Sequence, residues 1–328
     1  MTSQFSEFSI FSPAKVNLHL IIKDVRPDGF HNLESVFLAV NFGDTLHFKV
    51  REDKDTVETY INGNSSKNEL KRISLQDNII LKAIALFREK TGFPGYFNVK
   101  VDKKIPIGGG LGGGSSNAAA ALLALNRMTA SHVVLEKEAL LDMAAVLGSD
   151  VPFFIHETPA AWVSGRGENI TPIDVPQMFL VLVNPGFSSS TAAAFKLLDK
   201  YRSLGYSTTN QHSSSTKFWC WTRPTRTGEK YDITSSWCLS GSWLNNYCIN
   251  DFLEVFGEKE KSIYMDIISR LKELGAIYAN LSGAGSTCFG LFTSYEQAEK
   301  ATESLQNNWD FVVNTENLKI FNKENKEF

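Results

Sequence analysis

One stretch limits the folds open to this chain: Ile105 to Ala121, reading IPIGGGLGGGSSNAAAA. Pro106 opens it, and six glycines (Gly108, Gly109, Gly110, Gly112, Gly113 and Gly114) surround Leu111. Without Cβ atoms, successive amides can converge on one point and a ligand can approach the backbone closely. Ser115, Ser116 and Asn117 are residue types that cap helices, and the alanine run behind them favours helix. A helix start presents free N–H groups and the positive end of a dipole, so the combination points to an anion, phosphate above all. A flexible linker would not stand between a strand-like run (Tyr96 to Val101) and an alanine helix. The Gly-Lys-Ser/Thr ending of a P-loop is absent. A dinucleotide loop follows the first strand of its unit and has an acidic residue about 20 positions on. Here the loop arrives after a hundred residues and the next acid is Glu136.

The 328 residues suffice for one large or two ordinary domains with a full core. A net charge of −3 and a pI near 6.1 lack the basic surplus of a nucleic-acid binder. No apolar run reaches membrane-spanning length, and Met1 to Ser12 lacks the pattern of a signal peptide. Four cysteines without zinc spacing read as reduced thiols, so the expected setting is cytoplasmic, with no membrane or nucleic-acid partner.

Along the chain, Phe8 to Ile22 reads as an apolar strand interrupted by Pro13-Ala14-Lys15. A lysine there either reaches water from a strand edge or is buried and paired. Asn17 shares its face. Arg26-Pro27-Asp28-Gly29 is a turn, followed by Phe30-His31, which is either structural or a stacking and hydrogen-bonding clamp. Gly43-Asp44 reads as another turn, and Leu46 to Ile61 as strands. Gln76-Asp77-Asn78 reads as an N-cap before an amphipathic helix over Ile79 to Lys90. Helices are expected over Gly114 to Arg127 and Glu136 to Val146, the second ended by Gly148, with Pro152 blocking any continuation. Asp150 then lies in an apolar turn, either as a cap or as a functional carboxylate. A hairpin over Ala160 to Ile173, a strand at Phe179 to Val183 and a helix from Ala192 to Tyr201 follow. Residues 205–247 carry four of the six tryptophans and read as an aromatic insertion. Helices restart at Asn250 and at Lys261 to Leu274. Ile277 to Phe292 is strand, small-residue turn, strand, and Glu296 to Gln306 is a last helix.

Three segments stand out together: Pro13-Ala14-Lys15-Val16-Asn17-Leu18, the glycine loop, and Asn280-Leu281-Ser282-Gly283-Ala284-Gly285-Ser286-Thr287. Their order, with the Asp28-Gly29-Phe30-His31 turn and Leu147-Gly148-Ser149-Asp150-Val151-Pro152, resembles the GHMP kinase superfamily, and within it the members that act on a cytidine diphosphate conjugate of methylerythritol. The resemblance covers roughly Ser9 to Phe195 and Asn250 to Phe292. It implies a two-domain α/β (α+β) fold with the active site in the interdomain cleft. The halves would be residues 1–175 (ATP side) and 176–328 (substrate side), with the insertion at about 205–249. It implies ATP and Mg2+ and transfer of phosphate to the 2-hydroxyl of the methylerythritol moiety, in the non-mevalonate route to isoprenoid precursors. By the same resemblance Asp150 is the general base and Lys15 its partner. Asn17, Phe30, His31, Thr191 and Phe195 contact the substrate. Pro106, Gly108 to Gly110, Leu111, Gly112 to Gly114, Ser115, Ser116, Asn78 and Lys103 contact the nucleotide. No protein ligand for the metal is assigned. A different alcohol substrate, or a nucleotide-binding protein without catalysis, are the competing expectations.

Overall fold

A computed structural model describes residues 7–61, 78–206, 244–245 and 248–319. Most of the aromatic insertion, four of its tryptophans included, lies outside the described residues.

The first two strands set the frame. β1 (Glu7–Val25) and β2 (His31–Arg51) are long and antiparallel, with Glu7 opposite Lys49 and Val25 opposite His31. The expected interruption at Pro13-Ala14-Lys15 is a register shift between Pro13 and Ala14 within one continuous strand. A bulge accommodates the proline, which has no N–H to give the ladder. Gly43-Asp44 is likewise not a turn but lies inside β2. A Cβ on Gly43 would stand 2.3 Å from the Ser12 carbonyl oxygen, so only glycine lets β1 come this close.

The other edge of β2 is shared by two partners. Its first half pairs with β5 (Ala160–Gly165) and its second half with β4 (Tyr96–Lys103). β3 (Thr56–Ile61) runs parallel to β4, and β6 (Asn169–Pro172) closes the other edge. A second, antiparallel sheet has the order β10-β7-β9-β8, from β7 (Phe179–Asn184), β8 (Tyr278–Leu281), β9 (Cys288–Phe292) and β10 (Phe311–Glu316).

Period-two alternation distributes these strands over stacked layers. Phe37 and Ala39 of β2 face a core shared with helices α1 (Ile79–Thr91), α2 (Gly113–Met128), α3 (Lys137–Leu147) and α4 (Val151–Ile155). Val36, Leu38 and Val40 face the opposite way, onto Leu180, Leu182, Tyr278, Phe289 and Leu291 of the second sheet. Val181 and Val183 then face α6 (Glu258–Glu273) and α7 (Tyr295–Leu305). The layers run helix, sheet, sheet, helix. Between β7 and the second half stands α5 (Thr191–Ser203), capped by the Ser190 side chain. The segment at Asn250 is only a four-residue 3-10 turn (Asp251–Glu254).

Two capping expectations change. α2 begins at Gly113, with Gly112 as its N-cap and no side-chain cap bond. Ser115, Ser116 and Asn117 therefore lie inside the first helical turns. Pro152 does not stop the chain but sits in the first turn of α4, where its missing N–H has no intrahelical partner to lose.

The glycine loop joins the two sheets, and its carbonyls hold the joint. Gly108 O accepts from Ser189 N (2.8 Å), Gly109 O from Thr287 N (3.1 Å), Gly110 O from Ser282 Oγ (2.9 Å) and Leu111 O from Lys15 N (3.0 Å). Gly110 has φ +75°, and a Cβ there would stand 2.2 Å from Ser282 O. Gly114 meets nothing within 4 Å. Gly110→Ala should therefore cost at least ~2 kcal/mol, from left-handed strain plus collision. By thermal denaturation Tm should fall by about 3 °C or more, while Gly114→Ala keeps or slightly raises the wild-type Tm. Equal losses in the two variants would contradict this division of roles.

Candidate active site

The loop borders a cavity of about 970 Å³. Its walls contain Lys15, Asn17, Phe30, His31, Asn78, Lys103, Pro106, Gly108 to Gly114, Ser115, Asp150, Thr191 and Phe195. The segments that carry the resemblance, far apart in sequence, thus meet in one space. Ser116 is the exception. It is buried, and its hydroxyl lies 2.7 Å from the Ser12 hydroxyl, which is also 2.7 Å from Asn117 Oδ1. That triad ties α2 to β1 and leaves Ser115 as the loop's hydroxyl on the cavity wall.

Lys15 and Asn17 lie on the β1 face that carries the first core, opposite Ala39 and Phe37. Lys15 is buried, ruling out the strand-edge reading, and four neighbours explain how an ammonium can sit there. Its Nζ is 3.3 Å from Asp150 Oδ2, donates to Asn17 Oδ1 at 2.6 Å, and stands 4.5 Å over the Phe37 ring. Gly112 supplies the space: a Cβ there would be 3.0 Å from Lys15 Cγ. Asn17 is held in turn by donating to Ser35 Oγ (2.9 Å), and Ser35 donates to the His19 carbonyl. Asp150 precedes α4 and is more exposed than Lys15, at 29% against 4%. A partly open carboxylate beside a buried, oriented cation is an arrangement that can accept a proton from a bound hydroxyl.

At the loop's entrance a second buried pair forms. Lys103 Nζ bonds to Asp44, whose other oxygen accepts from Lys104 N (2.8 Å) and Ile105 N (2.9 Å). Burial pushes the Lys103 ammonium below its ordinary value, and the Asp44 carboxylate pulls the other way. Sequence reasoning missed Asp44, because Gly43-Asp44 looked like a turn. It fixes the point where β4 leaves the sheet and the loop begins. Asn78 caps α1 through Ile80 N (3.0 Å) while facing the same cavity.

The cavity's remaining aromatic groups come from both halves. His31 stacks on Phe195 (4.9 Å, 22° between planes), and its Nε2 is 2.8 Å from Asp199 Oδ1. Phe30 is half-exposed at 51%, and its ring carries the Arg166 guanidinium at 4.8 Å. Asp199 and Arg166 were also missed. Each lies in a helix or hairpin with no motif of its own.

Among the described residues no cluster of three or more His, Cys, Asp or Glu side chains could hold a metal. At the glycine loop and the turn before α4 the cavity wall offers the Ser115 and Ser149 hydroxyls and the Asp150 carboxylate. That sparse oxygen set fits a magnesium ion that takes most of its ligands from phosphates and water. No helix among the described residues is long and apolar enough to cross a membrane. Cys248 and Cys288 are buried free thiols.

Comparisons with known proteins agree with this fold. Residues 78–158 match the model for the GHMP kinases N terminal domain, and residues 237–310 that for the GHMP kinases C terminal domain. The chain is 34% identical over 303 residues to a 4-diphosphocytidyl-2-C-methyl-D-erythritol kinase of Thermodesulfovibrio yellowstonii, covering 92% of this chain and 95% of that one. A Burkholderia multivorans protein of the same name is 31% identical, with 92% and 91% covered. A crystal structure of 4-(cytidine 5'-diphospho)-2C-methyl-D-erythritol kinase superposes with a TM-score of 0.66 at 25% identity, covering 95% of this chain and 100% of that one. L. major mevalonate kinase in complex with R-mevalonate gives a TM-score of 0.65 at 15% identity, covering 96% and 98%, a likeness of fold alone.

Because Lys103 is buried, removing its counter-charge should be costly. Asp44→Asn should lower stability by ~3 kcal/mol or more in urea denaturation, and adding Lys103→Met should restore most of it. A loss below 1 kcal/mol in the single variant would mean the pair is not carrying the joint.

Proposed function

The chain belongs to the 4-diphosphocytidyl-2-C-methyl-D-erythritol kinase family of GHMP kinases, and from that premise we propose that it transfers the γ-phosphoryl group of ATP to the 2-hydroxyl of 4-diphosphocytidyl-2-C-methyl-D-erythritol, a step toward isoprenoid precursors by the non-mevalonate route. The observation that carries the reading is the Lys15–Asp150 pair at 3.3 Å on the wall of the cavity that the glycine loop borders. Residues 1–175 would form the ATP side and residues 176–328 the substrate side, with Phe30 and His31 reaching across.

Phosphoryl transfer asks for positioning and charge stabilisation more than for covalent chemistry. With the loop carbonyls at Gly108, Gly109, Gly110 and Leu111 held by the scaffold, the first amides of α2 are donors with no acceptor inside the helix. Those amides, at Gly113, Gly114 and Ser115, and the helix dipole would receive the phosphates of ATP. Asn78 and Lys103 would border the nucleotide. Asp150 would accept the proton of the attacking hydroxyl. Lys15, aimed by Asn17, would offset negative charge as the phosphoryl group approaches. Magnesium, when bound with ATP, would supply charge neutralisation on the phosphate oxygens, and Ser115 and Asp150 are wall residues that could hold it. Phe30, His31, Thr191 and Phe195 would hold the cytidine end.

Asp150→Asn keeps the shape and removes the base. We expect kcat to fall by ~10²–10⁴-fold, with ATP and substrate affinities near wild type by calorimetry. A near-normal kcat would take Asp150 out of the mechanism. Phe30→Ala should raise KM for the cytidine substrate by roughly 10-fold, since aromatic stacking on a base is worth about 1–3 kcal/mol. KM for ATP should stay within about 2-fold of wild type, the base site being separate from the loop. Equal rises in both would place Phe30 elsewhere.

A further inference from the structure

The cavity is bordered by four cationic side chains: Lys15, Lys103, Arg166 and Lys196. Two of them are committed, Lys15 to Asp150 and Lys103 to Asp44. Arg166 and Lys196 make no ion pair among the described residues. The proposed substrate carries a diphosphate between its cytosine and its methylerythritol. An anion of that charge needs a cation near the middle of the site.

Arg166 is in the right place, for reasons built into its turn. It stands at the tip of the hairpin between β5 and β6, flanked by Gly165 (φ +72°) and Gly167 (φ +130°). On one side its guanidinium lies 4.8 Å over Phe30. On the other, Gly167 packs against the backbone just before Asp150, where a Cβ would stand 2.6 Å from Ser149 O. The turn thus spans the gap between the aromatic ring and the carboxylate.

The tip is also clamped. Glu168 accepts from the Arg166 backbone N–H and, through its other oxygen, stands 3.6 Å from Arg26 Nη1. Arg26 Nε pairs with Asp28 (3.2 Å), and Asp28 accepts from Phe30 N (3.2 Å). The turn that carries Phe30 and the turn that carries Arg166 are therefore one connected unit. The carboxylate of Glu168 is occupied by this clamp and does not neutralise the guanidinium. Among the described residues the Arg166 head lies over the Phe30 ring and makes no hydrogen bond or ion pair, and a ring leaves its N–H fork free for a bidentate anion.

We propose that Arg166 is a specificity-determining residue that binds the diphosphate of the cytidine conjugate, between the base shelf at Phe30 and the proton acceptor at Asp150. The inference rests on the substrate reading given above. It also says how the site would reject uncharged alcohols: without a diphosphate, the guanidinium gains no partner.

The test uses the full chain with saturating ADP to fill the nucleotide side, and calorimetric titration with cytidine and with CDP. Wild type should bind CDP more tightly than cytidine. Arg166→Ala should weaken CDP by roughly 10- to 100-fold, the worth of a charge-assisted bidentate contact. Cytidine should change by less than about 3-fold, because the Phe30 shelf is intact. Arg166→Lys should recover part of the CDP affinity, and Lys196→Ala should change the CDP-to-cytidine ratio less than Arg166→Ala does. Equal losses for cytidine and CDP in Arg166→Ala would overturn the inference and make Arg166 a support for the Phe30 ring. Unchanged CDP binding would overturn it too, while leaving the substrate reading standing. If wild type bound neither cytidine nor CDP, the substrate reading itself would fail and take this inference with it.

Discussion

The constraint on which the rest depends is that the glycine loop has its carbonyls spoken for. Four consecutive residues, Gly108 to Leu111, give their carbonyl oxygens to Ser189, Thr287, Ser282 and Lys15. A peptide unit has two polar ends, and fixing one aims the other. The loop therefore cannot relax into an ordinary turn, and α2 begins with donors that nothing inside the helix can satisfy. The same bonds join the first sheet to the second, because the donors come from β1 and from segments flanking strands of the second sheet. One set of contacts shapes the loop and ties the two sheets together at that point.

The buried charges follow the same logic. Lys15 and Lys103 are both costly to bury, and each has a carboxylate in contact. They differ in what that carboxylate can still do. Asp44 is fully enclosed and spends its remaining acceptor capacity on the amides of Lys104 and Ile105. Asp150 is partly open to the cavity. The first pair is therefore a structural anchor where the loop begins, and the second leaves a carboxylate facing the cavity. Removing Asp44 leaves Lys103 with an uncompensated charge, whereas neutralising Asp150 leaves Lys15 its contacts with Asn17 and the Phe37 ring.

Much of this was legible in the sequence, and the reasons differ by residue. The loop declares itself because six glycines before an alanine helix have few other uses. Lys15 and Asn17 could be put on one face of a strand from their spacing. Their meeting with Asp150, 135 positions away, came only through the resemblance, since no local rule links a strand lysine to a turn aspartate. The capping role read into Ser115-Ser116-Asn117 failed because Gly112, in the left-handed region, already starts the helix. That freed Ser116 and Asn117 to bond Ser12 across the core. Gly43-Asp44 was misread because a turn signal and a close strand crossing both call for glycine. Asp44, Asp199 and Arg166 act through partners distant in sequence, which no periodicity reveals.

The measurement that bears most directly on the account is ADP release with ATP and magnesium against three alcohols: the cytidine conjugate, mevalonate and galactose. Turnover confined to 4-diphosphocytidyl-2-C-methyl-D-erythritol is the predicted result. Turnover of mevalonate or galactose instead, or ATP binding with no turnover of any of the three, would contradict it.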